Sequence, residues 1–67
     1  MEYVCNFLNH NNSYIGPSVT IHRSSVESAI EEALERLASY PDYHGFDLLE
    51  DGERKYRFKR TVWAEDF

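Results

Sequence analysis

The chain reads as a single α+β domain, with one helix packed on a small, mainly antiparallel sheet in the order strand, strand, helix, strand, strand. Three observations lead there. A capped stretch near the middle repeats its apolar residues at helical period, two-residue alternation marks the segments on either side, and breaks rich in Asn, Gly and Pro separate them. Sixty-seven residues suffice for one domain only, with no internal repeat and no low-complexity tract. At that length folding hides only about 60 % of the surface that the unfolded chain exposes.

The first segment, residues 2–8, is rich in aromatic and branched side chains and is expected to be a strand. Alternation puts Tyr3, Cys5 and Phe7 on one face and Val4 and Leu8 on the other, so both faces are partly apolar. That pattern suits a central strand, or one covered from two sides. Residues 9–13, Asn-His-Asn-Asn-Ser, are turn-formers whose short side chains bond their own backbone. Gly16-Pro17 makes a second break before residues 18–22 resume the alternation, with Val19 and Ile21 on one face. A hairpin with a floppy connection over residues 9–17 is the simplest account.

Ser24 followed by Glu27 has capping-box spacing, each side chain able to bond an otherwise orphan amide of a first helical turn. From there Val26, Ala29, Ile30, Ala33, Leu34, Leu37 and Ala38 form one apolar stripe at helical period. Pro41 restricts Tyr40 to extended conformations, which predicts a helix end near Ser39.

A second hairpin is expected after the loop over residues 40–45. Phe46 and Leu48 flank Asp47 on one arm, and Tyr56 and Phe58 alternate with Lys55, Arg57 and Lys59 on the other. Asp51-Gly52 is a strong turn signal. A two-residue loop would pair Leu48 with Lys55 and Phe46 with Arg57, mixing apolar and basic side chains on one face. A three-residue loop over residues 50–52 pairs Phe46 with Tyr56 and Asp47 with Lys55 instead, and the face argument favours it, because a one-residue slip inverts every side chain. Residues 61–63 are expected to extend the last strand and residues 64–67 to fray.

Composition excludes several classes. A single cysteine excludes an internal disulfide framework, and with three histidines on three different segments it makes no metal site, so no metal or cofactor is expected. Cys5, mid-strand, reads as a small buried hydrophobe rather than a nucleophile. The chain shows no paired carboxylates, nucleophile elbow or glycine-rich phosphate loop, so an enzyme is not expected. No apolar run approaches the ~20 residues of a membrane span, and no signal peptide is read in it; a cytoplasmic protein is expected.

Charge is the informative feature. The net charge is −5, yet residues 1–52 carry nine acids against two bases, and residues 53–67 carry five bases against three acids. If Tyr56 and Phe58 pack under the helix, Lys55, Arg57 and Lys59 line the uncovered face of the sheet, with Trp63 on the same parity. A tryptophan beside Arg and Lys is the composition of an interface centre. The plainer alternative is a charged strand that keeps one side wet and resists edge-to-edge pairing. The opposite pole is the helix, where Glu27, Glu31 and Glu35 form like-charge pairs four residues apart, each costing a few tenths of a kcal/mol. Only Glu32–Arg36 is a favourable pair. Such an acidic face suits a basic groove on another protein; its plainer alternative is a solvated helix surface.

The stretch Ile21-His-Arg-Ser-Ser-Val-Glu-Ser-Ala-Ile-Glu-Glu-Ala-Leu34, followed by Tyr40-Pro41 and Gly45-Phe-Asp-Leu48, resembles the strand, capped helix and Gly-aromatic strand core of small phage-encoded inhibitor proteins. The T7-type inhibitor of bacterial RNA polymerase is one such protein, and some anti-CRISPR proteins are similar in size and order of elements. The Asp51-Gly52 hairpin and the basic last strand depart from the polymerase inhibitor. What the resemblance implies is a compact, non-enzymatic protein that binds a host macromolecular machine and blocks it.

The expectation is therefore a protein-binding module that occludes a partner's functional surface, through Lys55, Arg57, Lys59 and Trp63 or through Glu27, Glu31 and Glu35. The partner would be another protein, including one that handles nucleic acid. Direct nucleic-acid binding through residues 54–60 and self-association into a homodimer are the alternatives. Reversing Lys55, Arg57 and Lys59 to Glu is expected to leave the fold intact.

Overall fold

The computed structural model describes residues 1–60. Strands β1 (Glu2–Leu8) and β2 (Val19–His22) precede helix α1 (Val26–Ala38), and β3 (Gly45–Glu50) and β4 (Glu53–Lys59) follow it. The four strands form one sheet in the order β2-β1-β3-β4, every neighbouring pair antiparallel. The predicted α+β domain and its order of elements are thus present. Because β2 and β3 both run antiparallel to β1, α1 carries the chain across β1 from one flank to the other. That crossover lays the helix over the middle of the sheet.

Strand β1 lies inside the sheet, with α1 over one face and the loop that follows the strand folded back along it. Tyr3, Cys5 and Phe7 point into the core with Ile21, Phe46 and Leu48, and Ala29, Ala33 and Leu37 close it from the helix. Two of those three helix residues are alanines, so the α1 backbone can approach the sheet closely. On the other face of β1, Leu8 is also fully buried.

The helix begins one residue later than the capping-box spacing predicts. Ser25, in an extended conformation, is the N-cap, and its hydroxyl accepts from the Ser28 amide at 3.2 Å. The Ser28 hydroxyl donates to the Ser25 carbonyl, and the reciprocal glutamate bond to the N-cap amide that a capping box implies is not made by Glu27. Ser39 ends the helix as predicted.

The second hairpin corrects the three-residue loop. Glu50 pairs with Glu53 across a two-residue turn, Asp51-Gly52, with φ of 54° and 80°, the left-handed pair that tight hairpins need. The face conflict is removed by a bulge instead. The register shifts between Leu48 and Leu49, so Leu48 opposes Tyr56, Asp47 opposes Arg57 and Phe46 opposes Phe58. Inserting one residue at Lys55 restores the alternation that the short turn would have inverted. Phe58 then stacks on Phe46 with ring centroids 5.7 Å apart, while Tyr56 stays exposed.

The connection over residues 9–17 is hydrogen-bonded rather than floppy. The Asn9 side-chain oxygen accepts from the amides of Asn11 and Ser13, both at 2.9 Å. Tyr14 forms a bridge to Leu8, and the Ile15 amide donates to the Phe7 carbonyl. The loop therefore folds back along β1.

Two glycines separate two kinds of constraint. A Cβ at Gly45 would overlap the Phe58 carbonyl oxygen, whereas one at Gly52 would meet nothing and suffer only its positive φ. In urea unfolding, Gly45→Ala is expected to cost about 2–3 kcal/mol through the clash. Gly52→Ala is expected to cost about 1–2 kcal/mol through backbone strain.

Candidate functional site

The basic strand is built around one buried acid. Asp47 lies mid-strand on β3, on the face away from α1, and is only 1 % exposed. Burying a carboxylate is costly unless it is paired and hydrogen-bonded. Arg57, directly opposite on β4, donates to both its oxygens, from Nε at 2.6 Å and from the terminal nitrogen at 2.9 Å. The Tyr14 hydroxyl adds a third bond at 2.8 Å, and Arg54 approaches to 3.9 Å. The Arg57 hydrogen bonds, helped by that of Tyr14, hold the Asp47 carboxyl below its ordinary pKa despite burial. The same contact raises the Tyr14 phenol, which donates to a carboxylate.

The other cations of this strand have internal acceptors as well. Lys59 donates to the Asn9 carbonyl at 3.0 Å and to the Asn12 side chain at 2.6 Å, clamping the loop onto the sheet. Arg60 donates to the carbonyls of Leu37 and Tyr40 at the C-terminal end of α1, where the helix dipole is negative. Lys55 leaves the row predicted for it. The bulge turns it toward Glu53 at 3.1 Å, and Arg54 stands beside Asp47 in its place.

These contacts overturn two expectations. The face away from the helix is partly roofed by residues 9–18, through Tyr14 on Asp47, Lys59 on Asn9 and a Ser18–Asn6 side-chain bond. Reversing Lys55, Arg57 and Lys59 together would not leave the fold intact, because a glutamate at 57 would face buried Asp47. Trp63 lies outside the described residues, as do the strand extension over residues 61–63 and the fraying of residues 64–67.

The helix presents the opposite picture. Glu32 binds Arg23 at 2.8 Å and Arg36 at 3.0 Å, and its carboxyl is lowered chiefly by the Arg23 hydrogen bond. Glu27, Glu31 and Glu35 are exposed, and among the described residues no cation bridges any of them. All seven Lys and Arg side chains lie against an acid or carbonyl of the chain, and Glu27, Glu31 and Glu35 are the row of acids on α1 left facing solvent without a cation.

Beside that acidic row lies an open apolar groove of about 440 Å³, lined by Leu34, Leu37, Ala38, Phe58 and Arg60. Leu34 and Tyr56 are each 37 % exposed. The composition held no separate signal for this groove: its residues read as ordinary members of the helix stripe and of the last strand. Arg57 and Asp47 had a signal, a lone acid in an apolar strand beside a basic one.

Elsewhere the chemistry is quiet. Cys5 is fully buried, and burial pushes its thiol up to about 12, which keeps it protonated and unreactive at neutral pH. The His10 and His44 rings come within 5.6 Å, yet among the described residues no three metal-ligating groups converge. No helix of the described residues is long and apolar enough to cross a membrane. No family model, curated protein or solved structure matches the chain.

The Asp47 pair has a signed pH dependence. Its folded-state pKa is lowered, so its stabilisation is present above the ordinary carboxylate range and is lost as pH falls through the folded value. Arg57→Met leaves the buried carboxylate without its main partner and is expected to cost about 3 kcal/mol at neutral pH. Urea midpoints measured between pH 7 and 3 should show that difference shrinking toward acid, where a protonated Asp47 needs no cation.

Proposed function

We propose that the protein is a non-enzymatic binding module that docks the acidic face of α1 on a basic surface of another protein and blocks it. One observation carries this reading: each basic side chain has an acid or carbonyl partner within the chain, whereas Glu27, Glu31 and Glu35 point outward in a repelling row that no cation bridges. Like charges four residues apart weaken a helix, so the row lowers stability in the free protein and gains only when a cationic surface meets it. Complementary potential of this kind speeds association and fixes orientation more than it adds affinity. A groove that normally holds nucleic acid is such a surface. The reading agrees with the class that residues 18–49 resemble, compact inhibitors of host machinery acting in the cytoplasm. A phosphate backbone is disfavoured as the target, because Arg57, Lys59 and Arg60 would have to leave their internal acceptors to reach it.

The test separates the two poles. Glu27→Gln, Glu31→Gln and Glu35→Gln together should abolish affinity capture of the partner from a lysate of the host, with the circular dichroism spectrum unchanged. The triple variant should be about as stable as the parent, since relief of two repulsive pairs is offset by loss of the Glu27 charge in the first turn of the helix. Lys55→Glu, which touches neither Asp47 nor the loop, should capture as the parent does. Retained capture by the glutamine variant, or loss with Lys55→Glu alone, would overturn the assignment.

A further inference from the structure

We propose that the groove between α1 and β4 receives an amphipathic helix of the partner, its apolar stripe lying on Leu34, Ala38, Tyr56 and Phe58 and its Lys or Arg flank meeting Glu27, Glu31 and Glu35. This rests on the acidic-face reading above and names the partner's chemistry. One helix leaves part of the sheet uncovered. Four strands about 4.8 Å apart make a sheet wider than one helix of about 10 Å can shield. The helix packs against β1, β2 and β3, and β4 lies beyond its main contacts. What remains above β4 is the groove lined by Leu34, Leu37, Ala38 and Phe58, with Arg60, bonded to the Leu37 carbonyl, at its end and exposed Tyr56 on the same strand.

On α1, Ile30, Leu34 and Ala38 follow one another at four-residue spacing, and Glu27, Glu31 and Glu35 form the neighbouring row, three residues back from each. On the other flank of α1, Glu32 is occupied by Arg23 and Arg36. The unneutralised acids therefore border the apolar strip that lies over β4. An occupant must be apolar on one side and basic on the adjacent side, and a helix laid beside α1 on the same sheet meets both requirements. The free acidic row selects against an acidic occupant.

The experiment uses the full chain, labelled with nitrogen-15, and a synthetic helix of about 18 residues, five turns, carrying a leucine stripe and a lysine flank. Controls are a peptide with the same stripe and a glutamate flank, and one with the lysine–leucine composition scrambled. The lysine-flank peptide should bind at least about tenfold more tightly than either control. Its shift changes should centre on Leu34, Ala38, Tyr56 and Phe58. Leu34→Arg, at an exposed position that tolerates the change, should weaken binding by about tenfold or more with the spectrum of the free protein otherwise preserved. Equal binding of the scrambled peptide, or shift changes spread over other faces, would overturn the proposal. So would concentration-dependent sedimentation abolished by Leu34→Arg, which would make a second copy the occupant. Fluorescence of Trp63, the sole tryptophan, supplies a further arm. Emission that reddens in the peptide-free chain on Leu34→Arg would assign the groove to the protein's own indole and overturn the proposal as well. If capture of the partner is lost in the glutamine variant but survives Leu34→Arg, the acidic-face reading stands and the groove assignment falls.

Discussion

Asp47 organises the molecule. A carboxylate with 1 % exposure on a central strand is tolerable only because Arg57 grips both oxygens and Tyr14 supplies a third bond. Those partners come from an edge strand and from a loop that would otherwise have little to hold them. One buried charge thus joins β4 to β3 and brings residues 9–17 back over the sheet. It also decides what the surface looks like. With Arg57 bound to Asp47, Lys59 to the loop and Arg60 to the helix end, three cations of a strand that reads as basic in sequence are committed to contacts within the fold. The acidic helix is left to set the external field.

The second constraint is geometric. The crossover from β2 to β3 obliges α1 to pass over β1, and a single helix centred there cannot also shield β4. The apolar strip beside Leu34 and Phe58 is therefore a by-product of topology before it is anything functional. Burying it requires material from outside the described fold. The glutamate row of α1 borders the same strip. Fold and charge shape this surface separately, one leaving the strip open and the other placing acids along its edge.

The elements were legible because their signals are local. The stripe from Val26 to Ala38, the alternation around Tyr3, Cys5 and Phe7, and Pro41 after the helix each act within a few residues. The Asp51-Gly52 signal was legible too, but its consequence was misjudged. Alternation reports which face a side chain takes and cannot say whether a mismatch is absorbed in the turn or by a bulge further along the strand. The same limit hid the site. Periodicity placed Arg57 and Lys59 on one face, but the bulge that sets Arg57 rather than Lys55 opposite Asp47 breaks that periodicity, and Asn9 is distant in sequence from Lys59. The helix glutamates kept their predicted exposure because a solvent-facing helix row depends only on its own period.

The strand order has an effect on how the protein is made. β1 emerges first from the ribosome, yet one of its two neighbours, β3, is not synthesised until residues 45–50. Until then the hairpin of β1 and β2 has an open hydrogen-bonding edge flanked by Cys5 and Phe7, and the buried carboxylate that will anchor the other side does not exist. Unpaired edges of this kind attract other chains. The nascent protein therefore passes through a stage in which its most apolar strand is half-paired, and the speed with which the last fifteen or so described residues arrive sets how long that exposure lasts.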